Sequence, residues 1–175
     1  MRKMLVALAV VLLWPSAAQG APFSSVELGF TADFPAAPTV GQAEDSEKDD
    51  NGKVVSHAVT VSAMEQGVYM TAVVTDTFIE PMKIDVTGSL TLERDNFLKG
   101  LGAALSSANP GTLDGRPAMF FTYDRPDHSA AGSGIVVVID TEKPRVYIVV
   151  TMHTPAANDG LMADLDRFWR SFHLQ

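Results

Sequence analysis

Apolar and polar residues alternate along the first part of the chain in the manner of a half-buried strand. From Val26 to Phe34 every second residue is apolar, and Pro35 interrupts the pattern. A period of two places one side of a strand in a core and the other side in solvent. We therefore predict a strand here, followed by a solvated loop over 36–53 that contains the acidic run 44–52.

Two runs rich in valine, threonine and tyrosine lie on either side of a short polar segment at Glu65 and Gln66. β-Branched and aromatic residues are enriched in strands, and a glycine-containing connection is typical of a tight turn. Residues 54–63 and 67–77 are therefore predicted to form an antiparallel hairpin.

Beyond the Pro81 connection, the spacing of apolar residues changes to a helical period. The residues that fall on one helical face are Leu90, Phe97, Leu98, Leu101, Ala104 and Leu105. This spacing predicts a helix over 89–107, although Gly100 and Gly102 each weaken it by roughly 1 kcal/mol relative to alanine. The turn-forming residues 109–111 are expected to end it.

The next part of the chain has the pattern of strands in the middle of a sheet. Residues 113–116 have the composition of a tight turn, and the aromatic run 117–123 after it is typical of a strand. Two continuous β-branched runs follow at 134–139 and 145–152, joined by the polar segment 140–144. Because both faces of these two runs are apolar, we predict a central hairpin.

The C-terminal residues show the clearest helical pattern. The apolar stripe recurs at i, i+1, i+4, i+7, i+8 and i+11 and consists of Leu161, Met162, Leu165, Phe168, Trp169 and Phe172. This spacing favours packing in a core over a surface platform for a ligand. Asn158 or Asp159 is expected to cap the helix, and Arg167 and Arg170 lie toward its negative C-terminal end.

Runs of strands that are separated by single helices predict an antiparallel sheet with helices packed against it. The expected fold class is therefore α+β. Parallel winding is disfavoured, because strands and helices do not alternate one by one along the chain.

The first residues have the three-part layout of a secretory signal peptide. Two basic residues precede an apolar stretch over 4–13, which is shorter than the roughly 20 residues of a membrane-spanning helix. Small residues follow it, so we predict a signal peptide over 1–20 with cleavage after Gly20. An uncleaved anchor is the alternative. The mature chain 21–175 is expected to be one domain, periplasmic or secreted.

The mature chain is strongly acidic. Loss of residues 1–20, which carry two basic and no acidic side chains, changes the formal charge from −8 to −10. Such a domain repels nucleic acid and anionic lipid, so we expect no nucleic acid partner and no stable membrane insertion after cleavage. The chain contains no cysteine, which excludes disulfides, thiolate nucleophiles and cysteine metal sites.

Four short motifs are spread over nearly the whole mature chain, at 29–38, 113–118, 145–147 and 168–172. The first joins glycine and phenylalanine to two prolines, the second precedes the aromatic strand, and the last two open a late strand and close the chain. Together they resemble the PsbP-like family of small exported bacterial proteins. The resemblance implies an antiparallel sheet between helices, an α/β/α sandwich also used by a small Ran-binding nuclear import factor. It also implies action by partner binding rather than catalysis.

The acidic run 44–52 matches part of a calcium-binding loop. Positions 1, 3, 5 and 6 of that loop fall on Glu47, Asp49, Asn51 and Gly52. Position 12, which should supply a bidentate carboxylate, falls on Ala58, and the segment around it predicts a strand rather than a helix. A solvated, charge-repelling loop is therefore favoured over a calcium site.

A second set of possible metal ligands follows the aromatic strand. Asp124, Asp127 and His128 combine two carboxylates with an imidazole, which are groups that bind divalent metals. No further ligand is evident, and aspartate is also common in polar turns, which is the favoured interpretation. His57 and His153 lie on predicted strands, where a structural histidine is the simpler explanation.

No segment has the spacing of a serine nucleophile elbow, a zinc-protease helix or a dinucleotide-binding loop. We therefore predict a noncatalytic partner-binding or accessory protein of the cell envelope, with no catalytic, cofactor or metal site and with another envelope protein as its partner. The alternative hypothesis is a metal-dependent or hydrolytic enzyme built around Asp124, Asp127 and His128. A pocket with convergent carboxylates and histidine would favour the enzyme, and an exposed apolar patch would favour partner binding.

Overall fold

A computed structural model describes residues 21–42, 56–77, 85–139 and 144–175. The predicted signal peptide, the acidic run 44–52 and the Pro81 connection lie outside the described residues. In chain order the elements are β1 (Ala21–Ser25), β2 (Phe30–Phe34), β3 (Thr39–Gln42), β4 (Ser56–Glu65), β5 (Val68–Thr77), α1 (Val86–Leu101), β6 (Ala104–Leu113), β7 (Arg116–Asp124), β8 (Ala131–Ile139), β9 (Arg145–His153), α2 (Asp159–Ser171) and β10 (His173–Leu174).

Seven strands form one antiparallel sheet in the order β3-β4-β5-β9-β8-β7-β6. The central position of β9 confirms the prediction that the late hairpin lies in the middle of the sheet. Val136 and Val137 of β8 point to opposite faces and are both fully buried, which explains why these runs carry no polar alternation. The remaining strands form a small sheet in the order β1-β2-β10.

Two hairpins of the large sheet turn through a pair of residues with positive φ. Gln66 and Gly67 join β4 to β5 with φ of 41° and 91°, and Asp114 and Gly115 join β6 to β7 with φ of 48° and 76°. Positive φ at both central residues is the type I′ geometry, whose twist matches that of the flanking strands. The predicted β4–β5 hairpin and the tight turn at 113–116 are confirmed.

The prediction of a helix over 89–107 is wrong beyond residue 101. Gly102 adopts a left-handed conformation (φ 65°, ψ 32°) and donates its N–H to the carbonyls at the end of α1, which ends the helix. Ala104 and Leu105 lie in β6 instead, and so do residues 109–111, which were expected to end the helix. Pro110 is compatible with a strand here because β6 is the outermost strand, where a missing N–H need not break a ladder.

The predicted strand over 26–34 is correct only in its second half. Residues 26–29 form a turn between β1 and β2, in which Val26 is 89% exposed. From Phe30 to Phe34 the expected alternation is present, with every second side chain buried. The predicted loop over 36–53 is also corrected, because it contains the short edge strand β3.

The two faces of the large sheet are covered by different layers. On one face, called the α2 face, a core joins the sheet to α2 and to the small sheet, and Phe30 of β2 stacks on Phe172 with ring centroids 5.4 Å apart. On the other face, called the α1 face, a second core joins α1 to β7 and β8. The α+β prediction is confirmed. The layer on the α2 face combines a helix with strands, so it differs from the helical layer of the expected sandwich.

Arg145 and Tyr147 of β9 hold the turn at 26–29 against the sheet. Arg145 donates from Nη1 to the carbonyl of Glu27, and Tyr147 donates from its hydroxyl to the carbonyl of Leu28, both at 2.9 Å. Arg145 also pairs with Asp76 through two hydrogen bonds, which raises the pKa of the guanidinium. The motif at 145–147 therefore has a structural role.

Candidate functional site

A cleft opens on the α2 face where the sheet extends beyond its cover. Helix α2 packs against β2 and β5, and the α2 face of β6–β8 beside it is only partly covered. The resulting concavity has a volume of about 380 Å³, and we call it the Trp169 cleft. The residues that define it are Trp169 on the wall, Phe120 and Ile135 on the floor, and Ser107, Asn109 and Thr122 along the rim.

The indole of Trp169 is fixed in position. Its Nε1–H donates to the hydroxyl of Thr151 on β9 at 3.2 Å, and its ring meets Phe168 edge-on with centroids 5.5 Å apart. A hydrogen bond at one edge and an aromatic contact on the side restrict both side-chain torsions. The wall of the cleft is therefore a rigid aromatic surface.

The floor of the cleft is apolar, and part of it is an aromatic ring that lies over a glycine in β6. The ring of Phe120 lies over Gly111, where an added Cβ would come within 2.9 Å of Cε2 of that ring. Ile135 of β8 is 6% exposed and continues the apolar floor toward the centre of the sheet. Any side chain larger than a hydrogen at position 111 would displace the ring.

The rim of the cleft carries neutral hydrogen-bonding groups. The hydroxyls of Ser107 and Thr122 lie 2.7 Å apart across β6 and β7 and bond to each other, and Asn109 adds an amide. Among the described residues that line the cleft, none is acidic, basic or a histidine. The site can therefore offer hydrogen bonds and aromatic surface, but it supplies no proton donor or acceptor of the kind used in acid–base catalysis.

A second concavity, of about 390 Å³, lies along the exposed side of α2 beside β2. Its charged lining residues are Asp33, Asp166, Arg167 and Arg170. Arg167 also forms an ion pair with Asp164, at 2.7 Å. Because charges of both signs alternate over this solvated surface, it has no net preference for an anion or a cation.

The structure brings together two of the three proposed metal ligands. His128 Nδ1 lies 2.5 Å from Asp124 Oδ2, while the His128 side chain is 83% exposed. Asp127 instead accepts hydrogen bonds from the hydroxyl and the N–H of Ser129, at 2.7 and 3.0 Å, and these bonds lower the pKa of its carboxyl. Within the described ranges, no group of three or more such side chains is arranged to hold a metal ion.

His57 and His153 lie at opposite ends of the large sheet. His57 faces Asp76 in the β4–β5 pair, near the end of the sheet where Arg145 lies. His153 faces Val68 at the far end of β9. The length of a strand therefore separates the two imidazoles, and they cannot share a site.

The rim and wall of the Trp169 cleft were missed by sequence reasoning. Ser107 was assigned to a helix and Asn109 to the residues that end it, while Trp169 was assigned to the core stripe of α2. That stripe is confirmed for Leu161, Leu165, Phe168 and Phe172, which are buried, but the prediction is wrong for Met162, which is 38% exposed. No local signal marks the cleft, because its lining comes from three strands and a helix.

In the part of the chain that the structure covers, no helix has the length and apolar character needed to cross a membrane. Both described helices, α1 and α2, contain charged and polar residues.

Comparison with known proteins identifies the fold. The solution structure of cyanobacterial PsbP (CyanoP) from Synechocystis matches with a TM-score of 0.59 and 14% sequence identity, over 98% of this chain and 99% of that one. The chain has a PsbP-like fold. The crystal structure of LpqN, involved in cell envelope biogenesis of Mycobacterium tuberculosis, also matches the PsbP-like chain, with a TM-score of 0.54 and 14% identity over 89% of this chain and 85% of that one.

The PsbP-like resemblance inferred from the motifs is confirmed at the level of the fold. No family model and no curated protein matches the sequence. At 14% identity, the two structural matches carry no functional residue over to this chain. The suggested link to a Ran-binding import factor stays a prediction.

Proposed function

We propose that this PsbP-like chain is a noncatalytic accessory protein of the cell envelope that acts by binding another envelope protein. The observation that carries the noncatalytic part of the proposal is the lining of the Trp169 cleft, which is aromatic, apolar and neutral. Binding sites are typically concave and apolar with a few polar groups that fix orientation. A catalytic site needs groups whose pKa suits proton transfer, placed within reach of a substrate.

Among the described residues, the titratable groups whose pKa is shifted do not line this cleft. Burial raises the pKa of Glu93 on α1, and burial together with Tyr69 raises the pKa of Tyr123 to about 12. Tyr123 is on the α1 face, where its hydroxyl donates to the carbonyl of Thr151. Perturbed pKa values often mark active sites, but these two have structural causes on the opposite side of the sheet, and the pKa of Arg145 is raised by its hydrogen bonds to Asp76, which does not line the cleft.

Export to the envelope is part of the proposal. The N-terminal pattern supports a signal peptide over 1–20 and a mature chain that is periplasmic or secreted. The fold match to LpqN, a protein involved in cell envelope biogenesis, supports the same location. We treat residues 21–175 as a single mature domain.

The proposal is tested by crosslinking in living cells. The chain is expressed with its own N-terminal segment and a C-terminal tag, crosslinked, captured and identified with its partners by mass spectrometry. An unrelated exported protein with the same tag is the control. We expect one dominant envelope protein that is absent from the control. Capture of the same proteins by both baits would contradict the proposal.

The enzymatic alternative rests on the pairing of Asp124 with His128. That pair is exposed, and the Asp127 carboxylate is engaged by its own turn. Replacing all three residues by alanine should leave the captured partner unchanged. If the triple variant no longer supports the protein's function in cells but still captures the partner, the enzymatic alternative is favoured.

A further inference from the structure

We infer that the Trp169 cleft is a binding site for a small uncharged molecule that carries a flat apolar ring. This inference goes beyond the proposed function, since a small ligand can occupy the cleft whichever surface the protein partner contacts. It rests on the size of the cleft, on the edge strand beside it, and on the chemistry of its walls and rim.

The size of the cleft suits a small molecule better than a protein surface. Its volume of about 380 Å³ lies within the range of about 300–1,000 Å³ that is typical of small-molecule sites. A stable protein–protein interface buries about 1,200–2,000 Å² in total, which is far more than one cleft of this volume can contribute.

The adjacent edge strand is poorly suited to bind an extended peptide. Strand β6 is the outermost strand on this side of the sheet, but its pairing is irregular between Leu105 and Ser107. Pro110 lacks the N–H that an added strand would need. Bulges and prolines are features that prevent strand addition at an edge. Recognition in this region therefore depends on side chains in the cleft.

The walls of the cleft select a flat apolar ring. Trp169 is already held by Thr151 and Phe168, and the ring of Phe120 spreads over Gly111. Rigid aromatic surfaces lose little conformational entropy when a ligand binds. Aromatic pairs add about 0.5–1.5 kcal/mol to the burial of apolar area.

The rim selects an uncharged ligand with polar groups on one edge. Since no charged side chain lines the cleft within the part of the chain that the structure describes, an ionised ligand would lose hydration without gaining a partner. Each hydroxyl has one donor and two acceptor positions, so Ser107 and Thr122 keep hydrogen-bonding capacity beyond their mutual bond. The amide of Asn109 adds a donor and an acceptor beside them.

The protein contains its own probe of the cleft. Trp169 is the only tryptophan in residues 21–175, since the other is Trp14. The single indole N–H signal in a ¹H–¹⁵N spectrum of the chain 21–175 therefore reports on the cleft wall alone. The probes are benzamide, benzoate and benzylamine, which have the same ring and are neutral, anionic and cationic near pH 7.

We expect benzamide to shift the Trp169 indole signal in a saturable manner and to bind at least tenfold more tightly than either charged analogue. Thr122→Phe, at the exposed rim, should abolish the shift by filling the cleft. Thr112→Phe is the matched control, because Thr112 on β6 is also exposed but faces the other side of the sheet.

Three results would overturn the inference. They are equal binding of the neutral and charged probes, binding that survives in Thr122→Phe, and the absence of a saturable shift with any probe. These results leave the proposed function intact if an envelope protein is still captured in cells. Conversely, failure of partner capture with selective benzamide binding would leave the ligand site standing without the proposed protein partner.

Discussion

At the scale of single residues, two glycines in β8 let aromatic rings lie across the sheet. A Cβ at Gly134 would lie 2.2 Å from Cζ of Phe121, and a Cβ at Gly132 would lie 2.1 Å from the carbonyl of Thr151. Non-bonded carbon atoms prefer separations of about 3.5–4.0 Å. These positions therefore exclude any side chain unless the ring or the neighbouring strand moves.

We predict opposite effects for the same substitution at two glycines. Gly134→Ala should lower the free energy of unfolding by about 1–3 kcal/mol, as expected for overpacking of a core. Gly100→Ala should raise it by up to about 1 kcal/mol, because Gly100 lies in α1 with nothing within 4 Å of an added Cβ. Urea unfolding measures both. Equal changes in the two variants would contradict the packing seen at Phe121.

The buried hydroxyl of Tyr123 predicts a loss of stability in strong base. Its pKa is raised from 10.0 to about 12 in the folded chain, so the unfolded chain releases this proton first as the pH rises. The stabilisation is complete below pH 10 and is lost as the pH rises through about 12, with a total loss of roughly 2 kcal/mol.

Urea unfolding at pH 8.5 and pH 11 tests this linkage. Tyr123→Phe is the control, since it removes the titrating group together with its hydrogen bond to Thr151. The variant should begin less stable and lose less between the two pH values. A fall of the same size in both proteins would assign the effect to other groups.

At the scale of secondary-structure elements, each of the two helices begins at an N-cap whose side chain bonds to the backbone, and the capping residue differs between them. The side chain of Asn158 accepts the N–H of Leu161 at the start of α2, and the side chain of Asp85 accepts the N–H of Gly88 at the start of α1. Both bonds satisfy a backbone donor that the helix itself cannot pair. The sequence left Asn158 or Asp159 as the cap of α2, and the structure shows Asn158 in that position.

Removal of the α2 cap should destabilise the whole fold. Asn158→Ala is expected to lower the free energy of unfolding by about 1 kcal/mol, because α2 contributes to the core of the α2 face. Asn158→Asp keeps an acceptor at the cap and should change stability by a few tenths of a kcal/mol at most. A thermal melt distinguishes these outcomes, and equal melting temperatures for wild type and Asn158→Ala would refute the role of the cap.

The sequence predicted α2 well because its signal is local. Four turns of one helix contain both the cap and the apolar stripe from Leu161 to Phe172. The boundary after α1 was missed because Ala104 and Leu105 continue the helical spacing by chance, while Gly102 reverses the backbone conformation. A pattern of apolar residues does not show that reversal.

The candidate site could not be predicted in the same way. Thr122 and Ser107 become neighbours only when β6 and β7 pair, and Trp169 reaches them only when α2 packs on the sheet. Each of these residues has an ordinary local role in its own element. The neutral lining of the cleft results from tertiary packing of residues that are far apart in the sequence, so no local pattern predicts it.

At the scale of the whole molecule, the proposed export route predicts a defined N-terminus. Ala21 is the first residue of β1 and pairs with Phe34 in the small sheet. Cleavage after Gly20 would leave that strand at the start of the mature chain. We expect protein recovered from the envelope or medium to begin at Ala21 by intact mass and N-terminal sequencing. A chain that begins at Met1 would instead support an uncleaved anchor.

Strand β10 near the C-terminus forms the small sheet together with β1 and β2. Strand β10 pairs with β2 through His173 and Leu174, and the N–H of Gln175 donates to the carbonyl of Gly29. Contacts between such distant positions require the closure of a long loop, which carries an entropic cost and slows folding. During synthesis, β2 must therefore wait for β10 before the small sheet is complete. If the chain follows the proposed export route, the small sheet would be completed only after translocation of the C-terminal residues.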